Sequence, residues 1–241
     1  MIRVLVYNEF RHEKDSSCKA SEIYPLGIHT AIADFLGKEE DITVNTVTLD
    51  NIRAGITPEI LKETDVIIWW GHMAHDEVPD EVAEAVQEAV LNGMGAVFLH
   101  SAHKSKPFLR LMGTSGSLTW RESDDLTRVW VCSPSHPIAK GLGRYIELPA
   151  DETYGEPFGI PAPEDTVFIS WYSGGEVFRS GCTFRRDNGR IFYFQPGHET
   201  YPTYYNPEIQ TVIKNAVRWA APSYRCDDIM DCPHLPPVNK E

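Results

Sequence analysis

The stretch GAVFLHSAHKS, residues 95–105, decides the fold. Five apolar or small residues, Gly95 to Leu99, are followed at once by His100, Ser101 and His103. The run is short and β-prone, which suits a strand buried on both faces rather than a helix. A polar strand-to-helix corner of this kind carries the nucleophile in a large class of α/β enzymes. Immediately upstream, VPDEVAEAVQEAVLNG repeats Val78, Val82, Val86 and Val90 at every fourth position, and Ala85 and Ala89 broaden that face. Pro79 suits its start, acidic residues its first turn and Gly93 its stop. Before that helix, TDVIIWW (64–70) is another apolar strand.

Working outward, IRVLVY (2–7) reads as a first strand, YPLGIHTAIADFLG (24–37) as a helix with Pro25 in its first turn and Gly37 at its end, and DITVNTVTL (41–49) as a second strand. Alternation of this kind predicts an α/β fold: a doubly wound, mostly parallel sheet with helices on both faces, flavodoxin-like in plan. Strands one to four should be parallel neighbours, with the order reversing beside the first strand to open a crevice there. Thr119 to Arg190 reads instead as added antiparallel strands, with Asp187-Asn188-Gly189 as a hairpin turn. NPEIQTVIKNAVRWAAP closes the fold as a helix capped by Asn206, with Ile209, Val212, Ile213, Ala216 and Val217 facing the core. One domain, 1–222, is expected, followed by a polar, proline-rich tail, 223–241.

The chain has 241 residues and a net charge of −13, which argues against nucleic acid or an anionic membrane surface as partner. No apolar run is long enough to span a bilayer, and MIRVLVYNEF reads as a strand, not a signal peptide. The five cysteines (18, 132, 182, 226, 232) are scattered, which fits free thiols in a cytoplasmic protein better than a disulfide framework. Cys226, Cys232 and His234 in the tail lack the spacing and the fourth ligand of a zinc clip. The long tail, without a core face of its own, is the basis for expecting a homo-oligomer. Trp69, Trp70, Trp130 and Trp171 lie in apolar strands and read as core residues.

In open α/β sheets, ligands bind beyond the carboxyl ends of the strands. The first strand ends in Asn8, Glu9, Arg11, His12 and Glu13, with His29 on the next helix. The third ends in His72, His75 and Asp76, the fourth in His100, Ser101 and His103, and the late strand RIFYFQ in His198 and Glu199. This concentration of imidazoles predicts a shared polar site. The candidate metal ligands are Glu9, His72, His100 and His198, a set suited to zinc, manganese or nickel.

YNEFRHE, YPLGIH, WWGHMAH, GAVFLHSAH, DETY and GRIFYFQPGHE, followed by NP and NAVRWA, together resemble the ThuA-like (trehalose utilisation) family, from Ile2 to about Ala221. The resemblance implies the fold of class I glutamine amidotransferases and a sugar substrate, a disaccharide or keto-sugar. In those amidotransferases the fourth strand ends in a turn bearing a cysteine, paired with a downstream histidine and carboxylate. Here the turn reads Leu99-His100-Ser101-Ala102, so glutamine hydrolysis through a thiolate is not expected. The matching positions make His100, Ser101, His103, His198 and Glu199 the candidate catalytic residues. Glu9, His12, His29, His72, His75, Asp76, Glu152 and Tyr154 are candidates for binding substrate. Three readings follow: acid–base chemistry on a sugar by an isomerase, lyase or hydrolase, with or without a metal; a hydrolase using Ser101 or an activated water; and a non-catalytic sugar-binding or regulatory protein. Ser101 is also expected to cap the helix after the turn.

Overall fold

The computed structural model describes residues 1–224. Its strands are β1 (Ile2–Asn8), β2 (Ile42–Thr48), β3 (Val66–Trp70), β4 (Gly95–Leu99), β5 (Thr119–Val131), β6 (Tyr145–Gly155), β7 (Asp165–Tyr172), β8 (Val177–Arg186) and β9 (Gly189–Phe194). The helices are α1 (Ala20–Ile23), α2 (Ile28–Leu36), α3 (Ile52–Gly55), α4 (Pro58–Lys62), α5 (Asp80–Leu91), α6 (Lys106–Met112) and α7 (Pro207–Ala220). Among the described residues the strands form one sheet in the order β2-β1-β3-β4-β9-β8-β7-β5-β6.

The first half, β2-β1-β3-β4-β9, is parallel throughout. Its strands are apolar at successive positions because both faces are covered. Val4, Val6, Ile68, Trp70, Val97 and Leu99 pack into one core, under Ile28, Ile32 and Phe35 of α2 and Ile209, Val212 and Ile213 of α7. The alternate residues Leu5, Tyr7, Ile67, Trp69, Ala96 and Phe98 pack into the other, under Val82, Val86 and Val90 of α5 and Phe108 of α6. The chain leaves β1 for β2 on one side and returns to β3 on the other, so the order reverses beside β1. The crevice expected there lies beyond the ends of β1, β3 and β4.

The second half, β9-β8-β7-β5-β6, is antiparallel, and Asp187-Asn188 turns β8 into β9. Register shifts interrupt β5–β6 between Arg121 and Thr127, and β7–β8 around Phe168. Such irregularities bend and twist a ladder. The far end of β6 consequently returns to the end of β9, although three strands separate them in the sheet. Gln195 Nε2 donates to Glu152 O at 3.0 Å, and the Gly197 N–H donates to Asp151 Oδ2 at 3.2 Å.

Two local expectations change. The helix foreseen over 24–37 starts only at Ile28. Gly27 has φ of 87°, which ends any helical path from Pro25, and Glu13 Oε1 accepts the free Ile28 N–H at 3.0 Å. Ser101 does not cap a helix. It lies inside a 3-10 turn, His100–Lys104, and Ser105 occupies the residue before α6. Asn206 does cap α7, accepting from the N–H groups of Glu208 (2.8 Å) and Ile209 (3.2 Å).

Trp69 and Trp70 are buried in the core, but Trp130 and Trp171, also read as core residues, are only partly buried and belong to neither apolar cluster, Trp130 packing against Tyr145 instead. Cys18, Cys132 and Cys182 are free thiols. The readings of Cys226, Cys232 and His234, and of the tail beyond Tyr224, lie outside the described residues.

Candidate functional site: an imidazole and carboxylate cluster at the strand ends

His100 is fully buried and has φ of 51°, a left-handed conformation that a side chain other than glycine seldom takes. The geometry is that of a strand-to-helix elbow, which turns the side chain back over the sheet end. Neighbouring β9 and the residue that follows it hold the elbow on both sides. Tyr193 Oη donates to His100 O at 3.0 Å, and His100 Nδ1–H donates to Gln195 O at 2.9 Å. With Nδ1 protonated, Nε2 is the nitrogen presented to the site.

That nitrogen meets His72, His198 and Glu152. One ligand atom from each of these four residues lies within 4.8 Å of every other. Glu152 Oε2 is 3.0 Å from His100 Nε2, yet it has no aligned hydrogen bond, and neither has His198 Nε2. Buried polar atoms without partners are costly, so convergent orphans mark a place for a ligand. His72 also belongs to a second group with His12 and Glu199. His12 Nε2 is 2.9 Å from His72 Nδ1, and His12 Nδ1 is 3.5 Å from Glu199 Oε1. Glu199 Oε2 is buried without a hydrogen bond, 3.7 Å from His198 Nε2.

Burial and the neighbouring His100 hold the imidazoles of His72 and His198 neutral, with pKa values pulled down to about 2. Burial would do the same to His100, but Glu152 outweighs it and raises the His100 pKa. Burial pushes the Glu199 carboxyl up. Three imidazole nitrogens and one carboxylate are a donor set that fits a divalent transition metal such as zinc, manganese or nickel.

Other candidates fall around this cluster. His75, Ser101, His103 and Tyr154 line a cavity of about 330 Å³ that also reaches His72 and Glu152. His103 Nδ1–H donates to Gly116 O at 2.6 Å. Ser101 Oγ is 2.9 Å from Tyr154 Oη, its side-chain partner in place of an imidazole. Glu9 is not in the ligand set, and Glu152 takes that place. The Glu9 carboxylate instead accepts the N–H groups of His72 (2.7 Å), Met73 (2.9 Å) and Ala74 (3.0 Å), fixing the loop that carries His72. His29 is set back, with Nδ1 3.1 Å from Asn8 Nδ2 and its ring against Phe10. Asp76 is exposed on the short turn His75–Glu77.

Gly197 places His198: its φ is 133°, and a Cβ there would overlap Tyr204 Oη. Cys18, away from every strand end in the sequence, comes within 3.8 Å of His12 Nδ1. Trp120, Glu122 and Lys104 also line the cavity and were not singled out from sequence. Alternation along β5 is the signal that Trp120 and Glu122 share a face.

A parallel sheet whose fourth strand ends in a left-handed elbow, facing a histidine and a carboxylate from a late strand, defines the class I glutamine amidotransferase-like fold, here with imidazole at the elbow. The chain belongs to the ThuA, or trehalose utilisation, family, whose sequence model matches residues 3–220. No curated protein matches the sequence. A ThuA-like protein of Parabacteroides merdae superposes with a TM-score of 0.69 at 17% identity, covering 95% of this chain and 92% of that one. One of Bacteroides uniformis gives 0.63 at 20% identity, with 90% of each chain covered. A glutamine amidotransferase of Thermotoga maritima gives 0.52 at 10% identity, covering 90% of this chain and 97% of that one. Such likenesses are of fold, and family membership supports a trehalose-utilisation-like role.

Proposed function

We propose that this protein is an enzyme of carbohydrate catabolism acting on a disaccharide or keto-sugar by acid–base chemistry, with a divalent metal held by His72, His100, His198 and Glu152. The observation that carries this reading is the convergence of those four donors within 4.8 Å, with Glu152 Oε2 and His198 Nε2 buried and lacking hydrogen-bond partners. A bound metal supplies Lewis-acid polarisation of a sugar oxygen. The chain's own residues do the rest. Glu199 stands outside the four-donor set, and its raised pKa suits a group that takes a proton from carbon beside a carbonyl. His12, against Glu199 and His72, passes that proton towards the partly exposed side of the cluster. Tyr154 and Ser101 close the opposite wall and orient substrate hydroxyls.

Metal analysis of the purified protein, with calorimetric titration of Zn²⁺ and Mn²⁺, tests the reading. About one equivalent should bind to the wild type and be lost in Glu152→Gln and His100→Ala. Equal binding by all three proteins overturns the metal assignment. A sugar that binds the metal-loaded protein and is never turned over would establish the non-catalytic reading instead.

A further inference from the structure

Trp120 is the one tryptophan among the described residues that is largely bare, at 64% exposure, whereas Trp69 and Trp70 are fully buried. Its place is not arbitrary. In the β5–β6 ladder Trp120 is directly opposite Tyr154, and directly opposed residues of antiparallel strands put their side chains on the same face. Tyr154 is buried and reaches the elbow, with Oη 2.9 Å from Ser101 Oγ and 3.5 Å from His100 Nε2. Trp120 therefore stands on the neighbouring strand, on the face that carries the elbow contact. Two residues along β5, Glu122 faces the same way, with Oε1 3.8 Å from His198 Nε2. Arg121, between them, turns to the other side and pairs with Asp125 and Glu176. Trp120 thus forms part of the cavity wall together with Glu122, Lys104 and Ser117. Its ring has no aromatic or cationic partner among the described residues.

We propose that Trp120 is a specificity-determining platform on which a pyranose ring of the substrate stacks. This inference rests on the sugar reading above and deepens it. The indole face carries the negative side of the ring quadrupole and attracts the polarised C–H groups on one face of a pyranose. Glu122, Ser117 and Lys104 provide acceptors and donors for the equatorial hydroxyls, which point outwards in the ring plane. An open-chain polyol presents the same hydroxyls without a flat C–H face and gains less from the platform. A ring seated on Trp120 extends inwards past Tyr154 towards His72 and Glu152, which line the same cavity.

The test uses the full chain and three probes: trehalose, methyl α-glucopyranoside and the open-chain polyol sorbitol. Binding is read by tryptophan fluorescence and calorimetry in the wild type, Trp120→Phe and Trp120→Ala, with circular dichroism and metal content as controls. Both pyranosides should bind the wild type, quench its emission and be preferred to sorbitol. Trp120→Phe should stay within about threefold and Trp120→Ala should weaken by about tenfold, with fold and metal content unchanged. Pyranoside binding that is unaltered in Trp120→Ala overturns the platform and leaves the sugar reading standing. Failure of the wild type to bind either pyranoside overturns both. A change of oligomeric state in Trp120→Ala, by light scattering, would assign the exposed ring to a subunit contact and overturn the proposal.

Discussion

At the scale of single residues, His100 shows how one position is committed by its backbone. A φ of 51° costs on the order of 1–3 kcal/mol, and the hydrogen bonds with Tyr193 of β9 and with Gln195 just after it hold it there. The strain has a use, because the elbow delivers one side chain to the strand-end cluster. His100→Ala should lower Zn²⁺ affinity by more than about a hundredfold. Ser101→Ala should remove only the bond to Tyr154, costing about 1 kcal/mol, with metal affinity within about threefold. Calorimetry and urea unfolding measure both quantities. The reverse order would move the chemistry to the serine. Glu9 gives a different expectation. Glu9→Ala leaves three N–H groups of the His72 loop without their acceptor. It should cost at least about 2 kcal/mol and weaken metal binding indirectly; a stability change below about 0.5 kcal/mol would show that water replaces the carboxylate.

At the scale of elements, the irregular part of β5 is held by Asp125. Burial would raise the Asp125 pKa, but hydrogen bonds from Ser123, Ser173, Thr153 and Arg121 outweigh it and hold the carboxyl well below the usual carboxylate range. A carboxyl whose pKa is depressed on folding stabilises the protein at pH values above its unfolded value, and that contribution is lost as pH falls towards the folded value. The wild type should therefore lose stability steadily between about pH 5 and pH 2, and Asp125→Asn should be weaker at pH 7 but flatter across that window. Parallel acid-unfolding curves for the two proteins would remove Asp125 from this role. Helix α7 offers a cleaner case. Asn206 accepts from Glu208 and Ile209, so Asn206→Ala should cost about 1 kcal/mol by urea unfolding with the site unaffected.

At the scale of the molecule, β9 is the hinge of the design. It is parallel to β4 on one side and antiparallel to β8 on the other, so the two halves of the sheet share one hydrogen-bonded ladder. Both apolar clusters also draw residues from the two halves: Val97 with Phe168 in one, Phe98 with Phe178 in the other. Residues 1–222 should accordingly unfold in one cooperative step, with tryptophan fluorescence and far-ultraviolet circular dichroism giving the same midpoint in urea. Two separated transitions would divide the chain into two folding units.

The parallel half was legible because its signals are local. Continuous apolar strands, a four-residue valine repeat in α5, and the Asn206-Pro207 start of α7 each follow from nearest-neighbour physics. So did the clustering of His72, His100 and His198, because strand ends of a parallel sheet meet at one edge whatever the side chains are. The fourth donor was legible only as a substrate-binding candidate, Glu152 of the DETY motif, while the ligand position was assigned to Glu9. Glu152 is on β6, at the opposite edge of the sheet in strand order, and it reaches the elbow only because the irregular antiparallel half brings β6 back to Gln195. Glu9, at a strand end like the histidines, turned instead to the backbone of the His72 loop, and Trp120 was brought beside Tyr154 by a pairing register that no local pattern encodes. Sequence by itself determined the layers, the strand ends and the elbow, which depend on periodicity and chain connection. Only the tertiary structure decided which carboxylate completes the cluster and which aromatic ring borders it, because those choices depend on long-range strand register and the bending of a ladder.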